Sequence, residues 1–228
     1  MFRKTRESLS ESMSNEVFAD MSLDDFSKFV QTAAKENIGL IPPWSIFVQA
    51  LDLYRSGNES GAIAKWQEVI GASDVESRVT LQAWHFLRLA GLMPPPDQAK
   101  QVLGVVAEIP VSGGRDLLAA FRDGDIRYYN HAGGAAFVEQ NANDVIELAA
   151  RAWLDVGSTL VGSIGPWDEP ALPELKKGDA RITMLTPSGP HFGQAPLSVL
   201  ERDPNAAAFL SRATSLLLPV VEVVKSRR

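Results

Sequence analysis

Three consecutive prolines, Pro94–Pro96, separate two stretches of this chain that differ in the spacing of their apolar residues. Before the prolines, apolar side chains recur three or four residues apart, which is the period of an amphipathic helix. After them, residues 102–109 (VLGVVAEI) are nearly all apolar and rich in β-branched types, which is typical of a buried strand. Because consecutive prolines also form a stiff connection, we predict a helical region over residues 1–93 and an α+β domain over residues 97–228.

Residues 44–70 contain the pattern of a helical hairpin. Large and small apolar residues alternate along two helical segments with a glycine between them. The residues that carry the pattern are Ala50, Leu51, Tyr54, Gly57, Ala62, Ile63 and Trp66. This segment resembles a single tetratricopeptide-type helical hairpin, although no second copy follows at a period of about 34 residues. The resemblance implies a protein-binding surface and specifies no partner.

Short apolar segments separated by turn residues predict an antiparallel sheet in the second region. Asp123-Gly124 separates residues 116–122 from residues 125–131, and this dipeptide favours a two-residue hairpin loop. The other predicted elements are strands over 135–139 and 180–186 and helices over 143–160 and 205–224. We therefore predict an α+β fold in which an N-terminal helical bundle is followed by an antiparallel β-sheet with covering helices.

A two-residue loop at Asp123-Gly124 determines the register of the predicted hairpin. Asp116 then faces His131, and Ala120 faces Arg127. Because alternate strand residues share a face, Asp116, Arg127 and His131 are expected together. A carboxylate beside an imidazole can orient the ring and raise its pKa, which suits acid–base chemistry or the binding of a small ligand. The same side chains also suit a solvent-exposed sheet face with ordinary cross-strand charge pairs.

His191 is a further candidate because glycines at positions 189 and 193 leave the backbone around it accessible. A histidine in such a turn suits a base, a metal ligand or an ordinary hydrogen bond. If the sheet brought His191 beside His131 and Asp116, two histidines and one carboxylate would form a metal site. The sequence does not establish that proximity, so we assign no metal and no cofactor to the chain.

Established catalytic signatures are missing from the sequence. The chain has no cysteine, which excludes disulfides, thiolate metal sites and a cysteine nucleophile. Residues 112–116 (SGGRD) lack the Lys-Ser/Thr ending of a phosphate-binding loop. Neither a His-Glu-x-x-His pair nor a Gly-x-Ser-x-Gly elbow occurs. These absences favour a non-enzymatic role without deciding it.

The charge balance limits the classes of partner. Acidic residues outnumber basic residues by 28 to 22, and the net charge of −6 argues against a broad nucleic-acid-binding surface. The longest apolar run, residues 216–224, is shorter than the stretch of about 20 residues that spans a membrane. Residues 1–20 lack the apolar segment of a secretory signal. We therefore expect a cytoplasmic protein that binds neither nucleic acid nor membranes.

The repeat-like hairpin, the aromatic residues on the helix faces and the missing catalytic motifs favour a protein-interaction module. An adaptor and an immunity-type protein that neutralises a toxin both fit a small acidic chain, and either needs an apolar groove beside the tryptophans of the helical region. The alternative is a small-ligand binder or enzyme with a site at Asp116, Arg127 and His131. Residues 127–134 (RYYNHAGG) resemble a segment of bacterial proteins, which favours a bacterial origin and gives no indication of an activity.

Overall fold

The chain divides into two compact units, Met1–Pro95 and Pro96–Arg228. The structure is a computed structural model, and it describes residues 17–35, 41–140, 143–169 and 171–226. Each unit has its own cluster of buried apolar side chains, as expected of a region that forms its own core.

The first unit is helical. Its helices include α1 (Leu23–Lys35), α2 (Trp44–Arg55), α3 (Glu59–Gly71) and α4 (Ser77–Leu89). Their apolar faces meet in one core, whose largest fully buried side chains are Phe26, Phe47, Trp66, Phe86 and Leu87. The helical period of the first region is thus confirmed, and burial of one stripe on each helix holds the unit together.

Helices α2 and α3 form the predicted helical hairpin. Gly57, in the short connection, has a φ of +81°, which glycine adopts at little steric cost. Asn58 caps α3 by accepting a hydrogen bond from the Gly61 amide at 3.0 Å. The rings of Tyr54 and Trp66 lie 6.0 Å apart across the pair. The hairpin is present, and its resemblance to tetratricopeptide repeats stays a prediction.

The second unit contains a six-stranded antiparallel sheet. Its strands are β1 (Gly104–Val111), β2 (Gly114–Phe121), β3 (Ile126–Tyr129), β4 (Ala135–Val138), β5 (Asp179–Thr186) and β6 (Gly189–Pro196). Their spatial order is β4-β3-β2-β1-β5-β6, and all neighbouring strands are antiparallel. The predicted α+β fold, with helices before the sheet, is confirmed.

Two long helices cover one face of this sheet. The helices of the unit are α5 (Pro96–Ala99), α6 (Asp144–Leu160), α7 (Leu197–Leu200) and α8 (Pro204–Ser226). Helices α6 and α8 pack together, with the rings of Trp153 and Phe209 5.2 Å apart. Strand residues such as Val105 and Ala107 face these helices in the core. Val106 and Ala119, which point to the opposite face, are also fully buried, so the central strands are buried on both faces.

The predicted helix over residues 143–160 is present as α6. The sequence pattern places Val145, Leu148 and Trp153 on one apolar side of this helix. Trp153 is fully buried, as that pattern indicates, whereas Val145 and Leu148 are 65% and 72% exposed and Ile146 is buried. Helix α6 carries apolar residues on two adjoining faces, so their spacing identifies only part of the face that meets the sheet.

Helix α8 is the one helix among the described residues that is long and apolar enough to cross a membrane, over Pro204–Val223. Its side chains Phe209, Ala213 and Leu216 are fully buried in the core of the second unit. The helix continues through Pro219. Packing against the sheet accounts for its apolar stripe, as for other core helices.

Candidate functional site

The loop between β2 and β3 differs from the predicted one. The Phe121 amide donates a hydrogen bond to the Asp125 carbonyl at 2.9 Å, so three residues form the loop rather than two. Gly124 takes the last loop position with a φ of +100°. The Asp123 carboxylate accepts a hydrogen bond from the Asp125 amide at 3.1 Å. This is the three-residue hairpin loop in which a glycine follows a tight turn.

The additional loop residue shifts the pairing of β2 and β3 by one position. Arg127 pairs with Ala119 and not with Ala120, so the predicted register is wrong. Arg127 therefore lies on the face opposite Asp116. Asp116 and His131 still meet, because His131 lies in the turn after β3, beyond the paired residues.

Arg127 belongs to a buried ion pair on its own face of the sheet. Its Nη2 lies 3.0 Å from Oδ2 of Asp125, and the two side chains are only 6% and 5% exposed. Glu139 lies 3.4 Å from Nη1, and the Phe137 ring centroid lies 5.3 Å from the guanidinium carbon. A buried guanidinium held by two carboxylates and a ring connects β3 to β4 and is structural.

Asp116 joins β2 to the end of β3. Its Oδ1 accepts a hydrogen bond from the backbone amide of His131 at 2.9 Å and lies 2.9 Å from His131 Nδ1. Its Oδ2 accepts a hydrogen bond from the Tyr128 hydroxyl at 2.6 Å. The side chains of Asp116 and His131 are 18% and 35% exposed. The carboxylate thus orients an imidazole that is partly exposed to solvent.

These contacts shift the pKa of both acidic groups. Partial burial raises the pKa of Asp116, but hydrogen bonds from Tyr128 and His131 outweigh it, and the pKa lies below its usual value. The pKa of Tyr128 is raised to about 12 by partial burial, by the hydrogen bond that its hydroxyl donates to Asp116 and by the negative charge of Asp116. At neutral pH the cluster therefore holds a carboxylate and a neutral phenol.

Tyr128 is the member of this cluster that the sequence analysis missed. In the observed register Tyr128 faces Leu118, so Asp116 is its diagonal neighbour on the same face. Long side chains reach diagonal neighbours across antiparallel strands. An acidic residue and a tyrosine at diagonal positions would have indicated the contact, but only with the correct loop length.

The turn after β3 places His131 against the start of β2. In the turn between β3 and β4, the Asn130 side-chain oxygen accepts hydrogen bonds from the amides of Ala132 at 3.0 Å and Gly134 at 2.8 Å. At the first residue of β2, Gly114 lies so close that a Cβ there would be 2.5 Å from the His131 Cβ. A glycine at this position permits the close approach.

His191 lies on β6 and is fully buried. Its Nδ1 lies 2.8 Å from the Ile164 carbonyl oxygen, and its Nε2 lies 3.0 Å from the Ser188 hydroxyl. The pKa of His191 is lowered, mainly by burial, so the ring is neutral at neutral pH. His191 therefore ties β6 to the segment that follows α6.

The two candidate histidines lie in different parts of the sheet. Strands β2, β1 and β5 separate β3 from β6, so four strand spacings, roughly 19 Å, lie between His131 and His191. The two-histidine metal site considered from the sequence does not form. Within the part of the chain that the structure describes, no group of three His, Asp or Glu side chains is placed to hold a metal ion.

A second buried arginine, which no sequence motif indicated, lies on the same face as Arg127. Arg181 Nη1 is 3.2 Å from Glu108 Oε2, and Arg181 Nη2 is 3.0 Å from the Gln194 side-chain oxygen. Arg181 also donates a hydrogen bond to the Pro173 carbonyl. This arginine anchors the segment before β5 to the sheet.

Comparison with known proteins gives no match for this chain. No protein-family model, no curated protein and no solved structure matches it.

Proposed function

We propose that the helical unit binds another protein through the surface around the adjacent rings of Phe29 and Trp44, together with the exposed Ile41 three residues before Trp44 in the chain. We call these three residues the Phe29 patch. Phe29 is 42% exposed, Ile41 is 72% exposed, and Trp44 is partly buried. The rings of Phe29 and Trp44 lie 5.6 Å apart. Ile41 lies one turn before α2, where its carbonyl accepts a hydrogen bond from the Ser45 amide at 3.1 Å.

The proposal rests mainly on the contacts that hold this patch in place, because its two rings pack against buried rings of the core. The Phe29 ring lies 6.0 Å from that of Phe26, and the Trp44 ring lies 5.9 Å from that of Phe47. Phe26 and Phe47 are at most 1% exposed and belong to the core. Side chains that are already ordered lose little entropy on binding, and anchored aromatic groups dominate many protein interfaces.

The tryptophans of the helical unit divide between the core and the surface. Trp66 is 1% exposed and Trp84 is 6% exposed, so both are used in the core. Trp44 extends to the surface beside Phe29. The proposed contact is therefore a patch centred on Trp44 and not a groove lined by all three tryptophans.

A partner suited to this patch presents apolar side chains that cover it, as at the centre of ordinary interfaces. An adaptor and an immunity-type protein both need such a surface, and the proposal includes the cytoplasmic location expected from the sequence. The negative net charge of the chain makes a protein partner a better match than a nucleic acid.

Capture of partners from a bacterial lysate by the full-length chain, quantified by mass spectrometry, tests this proposal. Phe29→Ser combined with Ile41→Ser removes the exposed apolar groups and leaves the buried rings intact. The matched control is Leu89→Ser combined with Met93→Ser, since both residues are 60% exposed. We expect a partner that the control retains and the patch variant loses by at least about tenfold, because an interface hot spot contributes about 2 kcal/mol. Equal capture by both variants, with unchanged helix content, would contradict the proposal.

A further inference from the structure

The Asp116–His131 pair determines which imidazole nitrogen carries the proton. A carboxylate oxygen only accepts hydrogen bonds, so Nδ1 of His131 donates to Oδ1 of Asp116, 2.9 Å away. In the neutral ring the lone pair is then on Nε2, on the far side of the ring from the carboxylate. We propose that this nitrogen is a general base that activates water for the hydrolysis of a small, uncharged ester.

The Asp116 carboxylate is itself held in position. The Tyr128 hydroxyl donates to its Oδ2 at 2.6 Å, and the backbone amide of His131 donates to its Oδ1 at 2.9 Å. Because Oδ1 binds both the amide and the ring of His131, the ring has a defined orientation relative to β2. Such preorganisation is what acid–base catalysis requires. Asp116 is a positioning residue, and its charge stabilises the imidazolium that forms when His131 takes a proton.

Nε2 lies beside a part of the β1–β2 turn that has no side chain. A Cβ on Gly113 would lie 3.8 Å from Nε2 and 3.6 Å from Cδ2 of His131. Gly113 has a φ of +95°, which other residues rarely adopt, so the turn keeps this space open. The His131 side chain is 35% exposed and that of Asp116 18%. Water and a short acyl group can therefore reach Nε2, while the carboxylate stays more protected.

The charge beside the pair determines the class of substrate. Asp116 is negative, and the adjacent Arg115 extends to the opposite face, where its Nη2 lies 3.2 Å from the Lys176 carbonyl oxygen. Arg115 therefore offers no positive charge to a substrate at His131, and Asp116 repels an anion. An uncharged ester of a short acid needs no positive partner and is not repelled by Asp116.

Water is the only co-reactant in the proposed hydrolysis. Nε2 of His131 accepts a proton from water, and the water oxygen forms a bond to the ester carbonyl carbon. The bond from that carbon to the alcohol oxygen then breaks, and Nε2 returns its proton to the departing alcohol. The products are a carboxylic acid and an alcohol, and Asp116 remains ionised throughout.

Hydrolysis of p-nitrophenyl acetate by the full-length protein tests this proposal. Repeated turnover by the wild type should fall at least about tenfold in His131→Gln, since general-base catalysis contributes about 10²–10⁴-fold. His85→Gln is the matched control, because His85 belongs to helix α4 of the other unit and burial lowers its pKa to about 4. This histidine therefore has no part in the proposed site. The control should hydrolyse the ester as fast as the wild type. A wild-type rate no faster than that of His131→Gln would overturn the proposal.

Asp116→Asn tests the positioning role and decides the matter if His131→Gln does not fold. Turnover should fall at least about tenfold with KM unchanged, and ¹⁵N spectra should show the ring proton of His131 leaving Nδ1. Tyr128→Phe removes one of the hydrogen bonds that hold the carboxylate but keeps the pair, so its turnover should fall by up to about fivefold, less than that of Asp116→Asn. Wild-type turnover and an unchanged tautomer in Asp116→Asn would refute the role of Asp116. These measurements do not involve the Phe29 patch, so either proposal can fail alone.

Discussion

The two ends of the β2–β3 hairpin carry similar pairs of groups in different surroundings. Near the loop, Arg127 pairs with Asp125 at 3.0 Å, and both side chains are at most 6% exposed. At the other end, His131 pairs with Asp116 at 2.9 Å, and the His131 side chain is 35% exposed. Each pair joins a carboxylate to a nitrogen base. The difference in burial distinguishes a pair that is shielded from water from a pair that water reaches.

Burial makes the loss of an ionic partner costly in free energy, because a buried charge has no water to solvate it. Moving a charged group out of water costs several kcal/mol unless an opposite charge accompanies it. Arg127 stays protonated in any ordinary environment, so the fold must keep Asp125 beside it. The His131 side chain is partly in contact with water, so water can solvate a charge at this end of the hairpin.

Arg127→Met should cause the largest loss of stability. The change leaves the Asp125 carboxylate buried without the guanidinium, which costs about 3–5 kcal/mol. Urea denaturation of the full-length protein measures the free energy of unfolding. Arg151→Met is the control, because the Arg151 side chain is 71% exposed in its pair with Glu147, and loss of such a pair costs less than about 1 kcal/mol. Equal losses in the two variants would show that burial does not distinguish the pairs.

The type and order of the elements could be predicted because period is a local property of the sequence. The strands predicted over 135–139 and 180–186 are β4 and β5, with bounds within one residue. The loop at Asp123-Gly124 could not be decided in this way. Asp-Gly fits a two-residue loop, and it also fits the last two positions of a three-residue loop in which the aspartate binds the next amide. Packing of the strands selects between them, and that information is not local.

The candidate site was predicted in part. Asp116 and His131 were expected as a direct cross-strand pair, and they meet instead through the turn after β3. Arg127 was assigned to their face because the register was off by one residue. The Arg181–Glu108 pair joins strands that are distant in the sequence, so no local spacing could indicate it.

Gly114→Ala should cause an intermediate loss of stability. It would disturb the Asp116–His131 pair without changing either residue. The added methyl group would lie 2.5 Å from the His131 Cβ, so β2 or the turn after β3 must move, at a cost of about 1–3 kcal/mol. The ¹⁵N resonances of the His131 ring should shift as its contact with Asp116 changes.

Gly133→Ala is the matched control for this change. A Cβ on Gly133 meets nothing within 4 Å, and its φ of +89° leaves only backbone strain, which costs about 1–2 kcal/mol. The His131 ring resonances should therefore stay in place. If they move equally in both variants, the close approach of Gly114 does not determine the position of the ring.

The smallest effect should appear as a dependence of stability on pH. Partial burial raises the pKa of Asp116, but hydrogen bonds from Tyr128 and His131 bring it below its usual value in the folded protein. A lowered folded-state pKa means that the stabilisation is fully present above the pKa of an unfolded aspartate, about 3.9, and is lost as the pH falls through the folded value. The free energy of unfolding of Asp116→Asn should therefore lie about 1 kcal/mol below that of the wild type near neutral pH, and the difference should shrink in acid.

Tyr128→Phe separates the two sources of this stabilisation. It removes one of the hydrogen bonds that lower the pKa of Asp116 and leaves those from His131. Its pH dependence, measured by urea denaturation at several pH values, should lie between those of the wild type and Asp116→Asn. If the difference between wild type and Asp116→Asn were instead constant from neutral to acid pH, the carboxylate would gain nothing from its hydrogen bonds. The turns around His131 alone would then orient the ring, and the exposed end of the hairpin would be held by its backbone, unlike the end at Arg127.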